Sequence, residues 1–265
     1  MRDDSNNDSQ LMRRAVCSNN LKERSNINSV YGTNDFDTWV NDLIDGIEFN
    51  SVLDICCGTG NQLVKYAVKN EKAKIVGVDL SRESLQVADK RLQAQGTAGF
   101  KLNAISMEDM FAGADLIMSK FDLISCFYGL YYSQDVNKTI QQMIAHLTNR
   151  GSILIVGPYG KNNATLFEIL QRHFRLPELV IRSATTFMEH EVYSLLKEAT
   201  EVTVNSFVNP IRFPDADSII NYWRASTFYS GNHEDLVRKD VEQHFEKHGE
   251  FVMEKHVLAY LARKI

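Results

Sequence analysis

Between Ser51 and Gly157 the sequence alternates short apolar runs with amphipathic stretches, and this alternation restricts the fold more than any other feature. "SVLDICC", "AKIVGVDL", "GFKLNAIS", "FDLISCFYG" and "SILIVG" read as strands. "GNQLVKYAVKN", "SRESLQVADKRLQAQG" and "VNKTIQQMIAHL" read as helices. Ser81 suits the N-cap of the second helix and Gly96 its stop. The third carries Val136, Ile140, Met143, Ile144 and Leu147 at helical spacing, with Gly151 following it before the strand. Strands apolar on both faces cannot lie on a surface. Separated by amphipathic helices, they imply a parallel sheet covered on both sides, with right-handed crossovers.

The flanks are less regular. The first ten residues are mostly Asp, Asn and Ser and are expected to be unstructured. From Leu11 to Tyr31 one or two short helices are expected. "FDTWVNDLIDGI" is a further helix with Phe36, Trp39, Val40, Leu43, Ile44 and Ile47 on one face. Beyond Gly157, "NNATLFEILQRHF", "HEVYSLLKEAT", "DADSIINYWRASTFY" and "HEDLVRKDVEQHFEKHG" read as helices, and "EVTVNSFV" and "EFVMEKHVLAYLARKI" as strands. At 265 residues with no linker, the division expected is a segment 1–30 and one domain 31–265, with helical insertions at about 158–188 and 210–249.

Charge and cysteine usage narrow the partners. A net charge of -5 argues against a nucleic-acid groove, which normally shows a basic excess. Cys17, Cys56, Cys57 and Cys126 match neither a disulfide framework nor a zinc spacing, so reduced thiols are expected. "MRDDSNNDSQ" has no apolar run behind it, and no segment reaches the length of a membrane span. A cytoplasmic protein without a membrane partner is the expectation.

The first strand runs into "VLDICCGTGNQL", where a glycine pair implies a tight turn and a close backbone approach. Dinucleotide sites use G-x-G-x-x-G here. In Gly58-Thr59-Gly60-Asn61-Gln62-Leu63 the third glycine is missing. Asp54-Ile55-Cys56-Cys57-Gly58-Thr59-Gly60 instead resembles the D-x-x-x-G-x-G signature of class I S-adenosylmethionine-dependent methyltransferases. The likeness is to the UbiE-like, type-11 small-molecule branch in particular. It continues in order through "VGVDLS", "SMEDM", "FDLISCFYGLYY", "GSILIVGPYG" and "FPDADSIINYW" and covers about residues 30–265. It implies an α/β, Rossmann-like, seven-stranded, mostly parallel sheet with an antiparallel last strand and helices on both faces.

The resemblance also implies S-adenosyl-L-methionine as cofactor and assigns residues to it. Asp54 would hold the glycine loop and offset the ammonium. Gly58, Thr59 and Gly60 would admit the methionine part. Asp79 would accept the ribose hydroxyls. Leu80 and Met107 would sandwich the adenine, with Ser106 at its polar edge, where the family often has Asp. Tyr31 would close over the methionine end, and Phe127 ends the fourth-strand segment beside the cofactor. Packing readings stand beside these: a plain strand-to-helix turn for the glycines, a helix cap for Asp54 or Asp79, core for Met107, and small packing side chains for Cys56 and Cys57.

Methyl transfer from a sulfonium needs alignment and exclusion of water, and a base only where the acceptor is protonated. No catalytic residue is assigned. His190, His233 and His256 are the candidate bases, each also readable as a surface or packing residue. Cys126-Phe127-Tyr128-Gly129 lacks the N-P-P-Y-like turn of amino-methylating nucleic-acid enzymes. It also lacks the aspartate of metal-dependent catechol-type enzymes and the glutamate of arginine methyltransferases. The expectation is metal-independent transfer to an oxygen or nitrogen of a small molecule. Tyr128, Tyr131, Tyr132, Tyr159, Tyr222, Trp223 and Arg224 would line the acceptor pocket. Two other functions fit the cofactor turn: an S-adenosylmethionine-binding protein without transfer, and an NAD-dependent oxidoreductase. The acceptor's identity and the oligomeric state are not legible.

Overall fold

The computed structural model describes residues 13–14, 17–111 and 120–264. The first twelve residues, including those expected to be unstructured, lie outside this set. The elements in chain order are α1 (Ser18–Val30), α2 (Phe36–Asp45), β1 (Ser51–Ile55), α3 (Asn61–Lys69), β2 (Lys74–Asp79), α4 (Arg82–Ala94), β3 (Phe100–Ala104) and β4 (Phe121–Phe127). They continue with α5 (Val136–Ala145), β5 (Leu147–Pro158), α6 (Ala164–Leu170), α7 (Glu178–Thr185), α8 (Tyr193–Leu196), β6 (Thr200–Phe213), α9 (Ala216–Arg224), α10 (Glu234–His248) and β7 (Phe251–Lys264).

The strands form one seven-stranded sheet in the order β3-β2-β1-β4-β5-β7-β6. β1 pairs in parallel with β2 and with β4, β2 with β3, and β4 with β5. The last two strands are antiparallel, so the sheet is the mostly parallel, Rossmann-like one expected. Its physical basis is burial. β1, β4 and most of β5 are buried along their length, which requires apolar side chains on both faces. β3, at the edge, is only half-buried. After β3 the chain returns to place β4 on the other side of β1, so sheet growth reverses there. In open α/β sheets such a switch point leaves a crevice at the carboxyl ends of the strands.

Two compact units divide the described chain. The first comprises Asp37–Gly157, Phe187–Ser206 and Leu258–Ile265; the second comprises Met1–Phe36, Pro158–Thr186 and Phe207–Val257. In the first, α3 buries Leu63, Tyr66 and Ala67, and α4 buries Leu85, Ala88 and Leu92. Asp122 ties three strand starts together. Its carboxylate accepts the Asn50 and Ser51 N–H groups at 2.9 and 3.1 Å and the Thr148 hydroxyl at 3.0 Å. In the second unit, Trp223 is fully buried, stacks on Phe174 and donates its indole N–H to the Phe228 carbonyl at 3.2 Å.

Several elements depart from the sequence reading. Gly151, expected between the helix and the following strand, lies inside β5, which starts at Leu147. A Cβ there would come 2.8 Å from the Phe121 carbonyl oxygen, so glycine serves a close strand approach at the register shift between β4 and β5. "HEVYSLLKEAT" is not one α-helix: a π-helical turn, Phe187–Val192, precedes α8 and places Phe187, Met188 and Val192 in the core. β6 continues past Val208 through Pro210, at the sheet edge, where the only pairing partner among the described residues on that side is the short bridge between Gly32 and Ile211. α9 ends at Arg224, short of the expected Tyr229.

Candidate cofactor site

The first unit builds a sharply turned loop between β1 and α3. Cys56, Gly58 and Gly60 all have positive φ, at 57°, 52° and 79°. For a cysteine this backbone is costly, and neighbouring structure must hold it. The Cys57 N–H continues the sheet by donating to the Val78 carbonyl at 3.0 Å, and the Gly60 N–H closes the turn on the Cys57 carbonyl at 2.9 Å. A Cβ on Gly60 would lie 2.8 Å from the Cβ of Ala88, whereas one on Gly58 would meet nothing within 4 Å. One glycine is therefore demanded by helix packing. The other stands in open space.

The two carboxylates take different places from those expected. Asp79, at the end of β2, holds the loop: its carboxylate accepts the Gly58 N–H and the Ser81 N–H, each at 2.8 Å. Ser81 caps α4 by accepting the Ser84 N–H at 3.2 Å, as its sequence position suggested. Asp54 does not hold the loop. It is 1% exposed and paired in register with Ser125 of β4, whose hydroxyl it accepts at 2.6 Å. Burial pushes its pKa up to about 7; the Ser125 hydrogen bond opposes this and the Asp79 charge adds to it. A buried carboxylate with a neutral partner and a negative neighbour is a place where a positive charge is favoured.

Residues that motif reading did not single out complete the loop. Arg91 of α4 donates to the Thr59 carbonyl at 3.2 Å and to the Asn61 side chain. Gly77 of β2 leaves room for the Cys57 sulfur, which would lie 2.9 Å from a Cβ there. Gly129, beyond β4, does the same for Cys56. Ser125 and Gly77 flank Asp54 in the sheet register, a relation between strands that no local pattern reveals. The Cys56 thiol is pushed well above its ordinary pKa by its hydrogen bond to Cys126 and by burial. Cys57 is raised by burial first and by the Asp54 and Asp79 charges. Protonated thiols of this kind are inert.

The remaining expected cofactor contacts of this unit lie at the ends of its strands. Leu80, directly after β2, is 56% exposed, unusual for leucine unless something covers it. Ser106 follows β3, and its hydroxyl is engaged with Asp109, donating to the carboxylate at 2.7 Å. Met107 is buried and lines a cavity of about 350 Å³ with Glu108, Phe111 and Gln134. Phe127 ends β4 and is buried. Tyr128 has φ 53° and is 38% exposed, with its N–H on the Val156 carbonyl at 2.8 Å. Tyr131 and Tyr132 sit in the next turn with ring centroids 4.6 Å apart, and Tyr131 meets Phe187 edge-on.

The other expected pocket residues belong to the second unit. The Tyr31 ring lies 6.0 Å from Phe213, and Tyr159 packs against His256. Tyr222 is buried, and its hydroxyl receives a hydrogen bond from Lys255. Trp223, expected to wall a pocket, is a packing residue here, because its whole ring is enclosed. Arg224 makes a two-pronged pair with Glu234, whose carboxyl it holds down at about 2. His233 bonds Ser230 and His256 bonds Glu254, while His190, in the first unit, is exposed.

Known proteins resemble this chain in sequence and in fold. Residues 49–200 match the family model described as a methyltransferase domain. A demethylmenaquinone methyltransferase of Leptospira interrogans is 30% identical over 124 residues, covering 44% of this chain and 48% of the relative. The uncharacterized methyltransferase YcgJ of Bacillus subtilis is 26% identical over 125 residues, 47% of each. The matches thus span about half the length of these relatives. The YcgJ crystal structure superimposes with a TM-score of 0.59 at 16% identity, covering 86% of this chain and 97% of that one. The plantazolicin methyltransferase BpumL, in complex with a triazolic desmethylPZN analog and SAH, gives 0.52 at 16% identity, covering 99% and 100%. With more than half of its length inside the family model, and the fold that its glycine-turn motif implied, this chain belongs to the methyltransferase-domain family.

Proposed function

We propose that the chain transfers a methyl group from S-adenosylmethionine to an oxygen or nitrogen of a small molecule, without a metal ion. The observation that carries this reading is the pair of carboxylates on either side of the glycine turn. Asp54 is buried, and its hydrogen-bond partner among the described residues is the Ser125 hydroxyl, so the site fits a cationic ligand. Open space at Gly58 and the exposed Leu80 fit an adenosyl compound laid along the strand ends. When bound, the cofactor supplies a methyl group already activated by its sulfonium.

The chain's own residues then bind and orient. Asp54 offsets the ammonium, and Gly58, Thr59 and Gly60 admit the methionine part. Asp79 keeps lone pairs for the ribose while holding the loop, with Leu80, Met107 and Ser106 at the base and Phe127 beside it. Tyr128, Tyr131 and Tyr132, which follow the fourth strand, shape the acceptor side and exclude water. The missing third glycine and the buried acid both weigh against a pyrophosphate ligand. Support for a small-molecule acceptor comes from the relatives named demethylmenaquinone methyltransferase and from the residues after the fourth strand. The negative net charge supports a reading without nucleic acid. No helix among the described residues is long and apolar enough to cross a membrane. We place the activity in the cytoplasm because the cysteines suit a reducing compartment.

Mass-spectrometric detection of S-adenosylhomocysteine, with S-adenosylmethionine and a panel of phenols, quinols and amines, tests the reading. Acceptor-dependent product formation is the expected outcome. Tight S-adenosylhomocysteine binding with no turnover on any acceptor would instead describe a binding protein.

A further inference from the structure

The glycine turn is held from two sides, and only one of its holders has a place in the cofactor reading. Asp79 takes the Gly58 N–H at 2.8 Å, with a carboxylate that the same reading gives to the ribose. Arg91 of α4 takes the next part of the loop. Its Nη1 donates to the Thr59 carbonyl at 3.2 Å, to the Thr59 hydroxyl at 3.4 Å and to the Asn61 side-chain oxygen. All of these residues belong to the first unit.

The placement follows from α4. Ala88 and Arg91 are three residues apart and share one face of the helix. Gly60 closes against Ala88, so tightly that a Cβ on it would lie 2.8 Å from the Ala88 Cβ. Arg91, one turn on, reaches over to the loop. An arginine in the last turn of a helix ordinarily serves that end's carbonyls, whereas these bonds leave the helix. The loop needs the hold. Cys56, Gly58 and Gly60 are left-handed, the first at a strained φ, and the glycines leave other conformations open. Gly60 is the N-cap of α3 and has no side chain to close it. Two bonds fix the Thr59–Gly60 peptide: its N–H on the Cys57 carbonyl at 2.9 Å, and its carbonyl on Arg91. Without Arg91 one remains.

We infer that Arg91 is a positioning residue for cofactor binding: it keeps the turn in the arrangement that leaves open space over Gly58, and it acts through Thr59 and Asn61 rather than on the ligand. Resting on the methyl-transfer reading, this gives cofactor affinity a determinant outside the residues assigned to the ligand. Where a competent arrangement is only partly populated, apparent affinity falls by that fraction. Asp79 cannot show this effect by itself, because its removal takes away a ligand contact and a loop hold together. Arg91 has the second duty only.

Two measurements on the full chain test this: calorimetric titration with S-adenosylhomocysteine, and proton–nitrogen spectra of the glycine amides without ligand. Arg91→Met keeps the apolar stem and removes the donor; Arg91→Ala removes both. Each variant should bind S-adenosylhomocysteine about fivefold or more weakly than the wild type. In each, the Gly58 and Gly60 amide signals should shift or broaden without ligand and return towards their wild-type positions at saturation. Since Arg91 is exposed, both variants should stay folded. Affinity equal to that of the wild type, or glycine signals unmoved by either substitution, overturns the inference. Failure of the wild type itself to bind S-adenosylhomocysteine would overturn the methyl-transfer reading, while the ligand-free glycine signals still report whether Arg91 holds the turn.

Discussion

The two glycines of the turn separate stability from binding. Gly60→Ala forces a Cβ against Ala88 at φ 79° and is expected to destabilise the protein by about 2–4 kcal/mol, read as a lower urea midpoint. Gly58→Ala meets no neighbour, so it should cost only about 1–2 kcal/mol from its φ of 52° while weakening S-adenosylhomocysteine by about tenfold or more. Equal effects of the two on affinity would mean that nothing binds over Gly58. Motif spacing made these glycines, Asp54 and Asp79 legible. It could not assign their bonds: the motif gave the loop to Asp54, and only the fold shows that Asp79 holds it and that Asp54 faces Ser125. The left-handed Cys56 was illegible for a related reason, since its cause is the room left by Gly129, a distant residue in the chain.

Strands and helices were read well wherever one period governed the pattern. Four of the five parallel strands and α3, α4 and α5 follow simple burial rules, whereas the order of the strands in the sheet was not legible from the alternation. Misreadings came where a residue has two physical uses. Gly151 ends helices but also lets two strands approach; Pro210 breaks strands except at an edge. Tyr222 and Trp223 could each be read as pocket wall or as packing, and the sequence did not say which side chain is enclosed. Trp223→Ala should cost about 3–5 kcal/mol in urea unfolding, because the whole ring is enclosed and packs against Phe174 and Tyr229. A loss below about 1 kcal/mol would show that the ring was not a packing element.

At the scale of the whole molecule, Asp54 couples stability to pH. Its carboxyl has a pKa of about 7 in the folded chain against 3.8 as the reference value, so the folded state holds its proton more tightly. The contribution is fully present below about pH 4 and lost as pH rises through 7. The cofactor-free protein should therefore lose stability from this group across that window, and Asp54→Asn should flatten that part of the profile in thermal unfolding. An unchanged slope in the variant would place the carboxyl's pKa near its ordinary value. A cationic ligand favours the ionised form, so its binding at pH 6 should release a proton, measurable as a dependence of titration heat on buffer ionisation enthalpy.

Calorimetric titration with S-adenosylhomocysteine and, in parallel, NADH bears most directly on the carboxylate-bounded turn as the seat of a sulfonium donor. Saturable binding of S-adenosylhomocysteine, none of NADH, and a loss of about tenfold or more in a folded Asp79→Ala variant are expected. Binding of NADH in its place, or an affinity unmoved by that substitution, would contradict it.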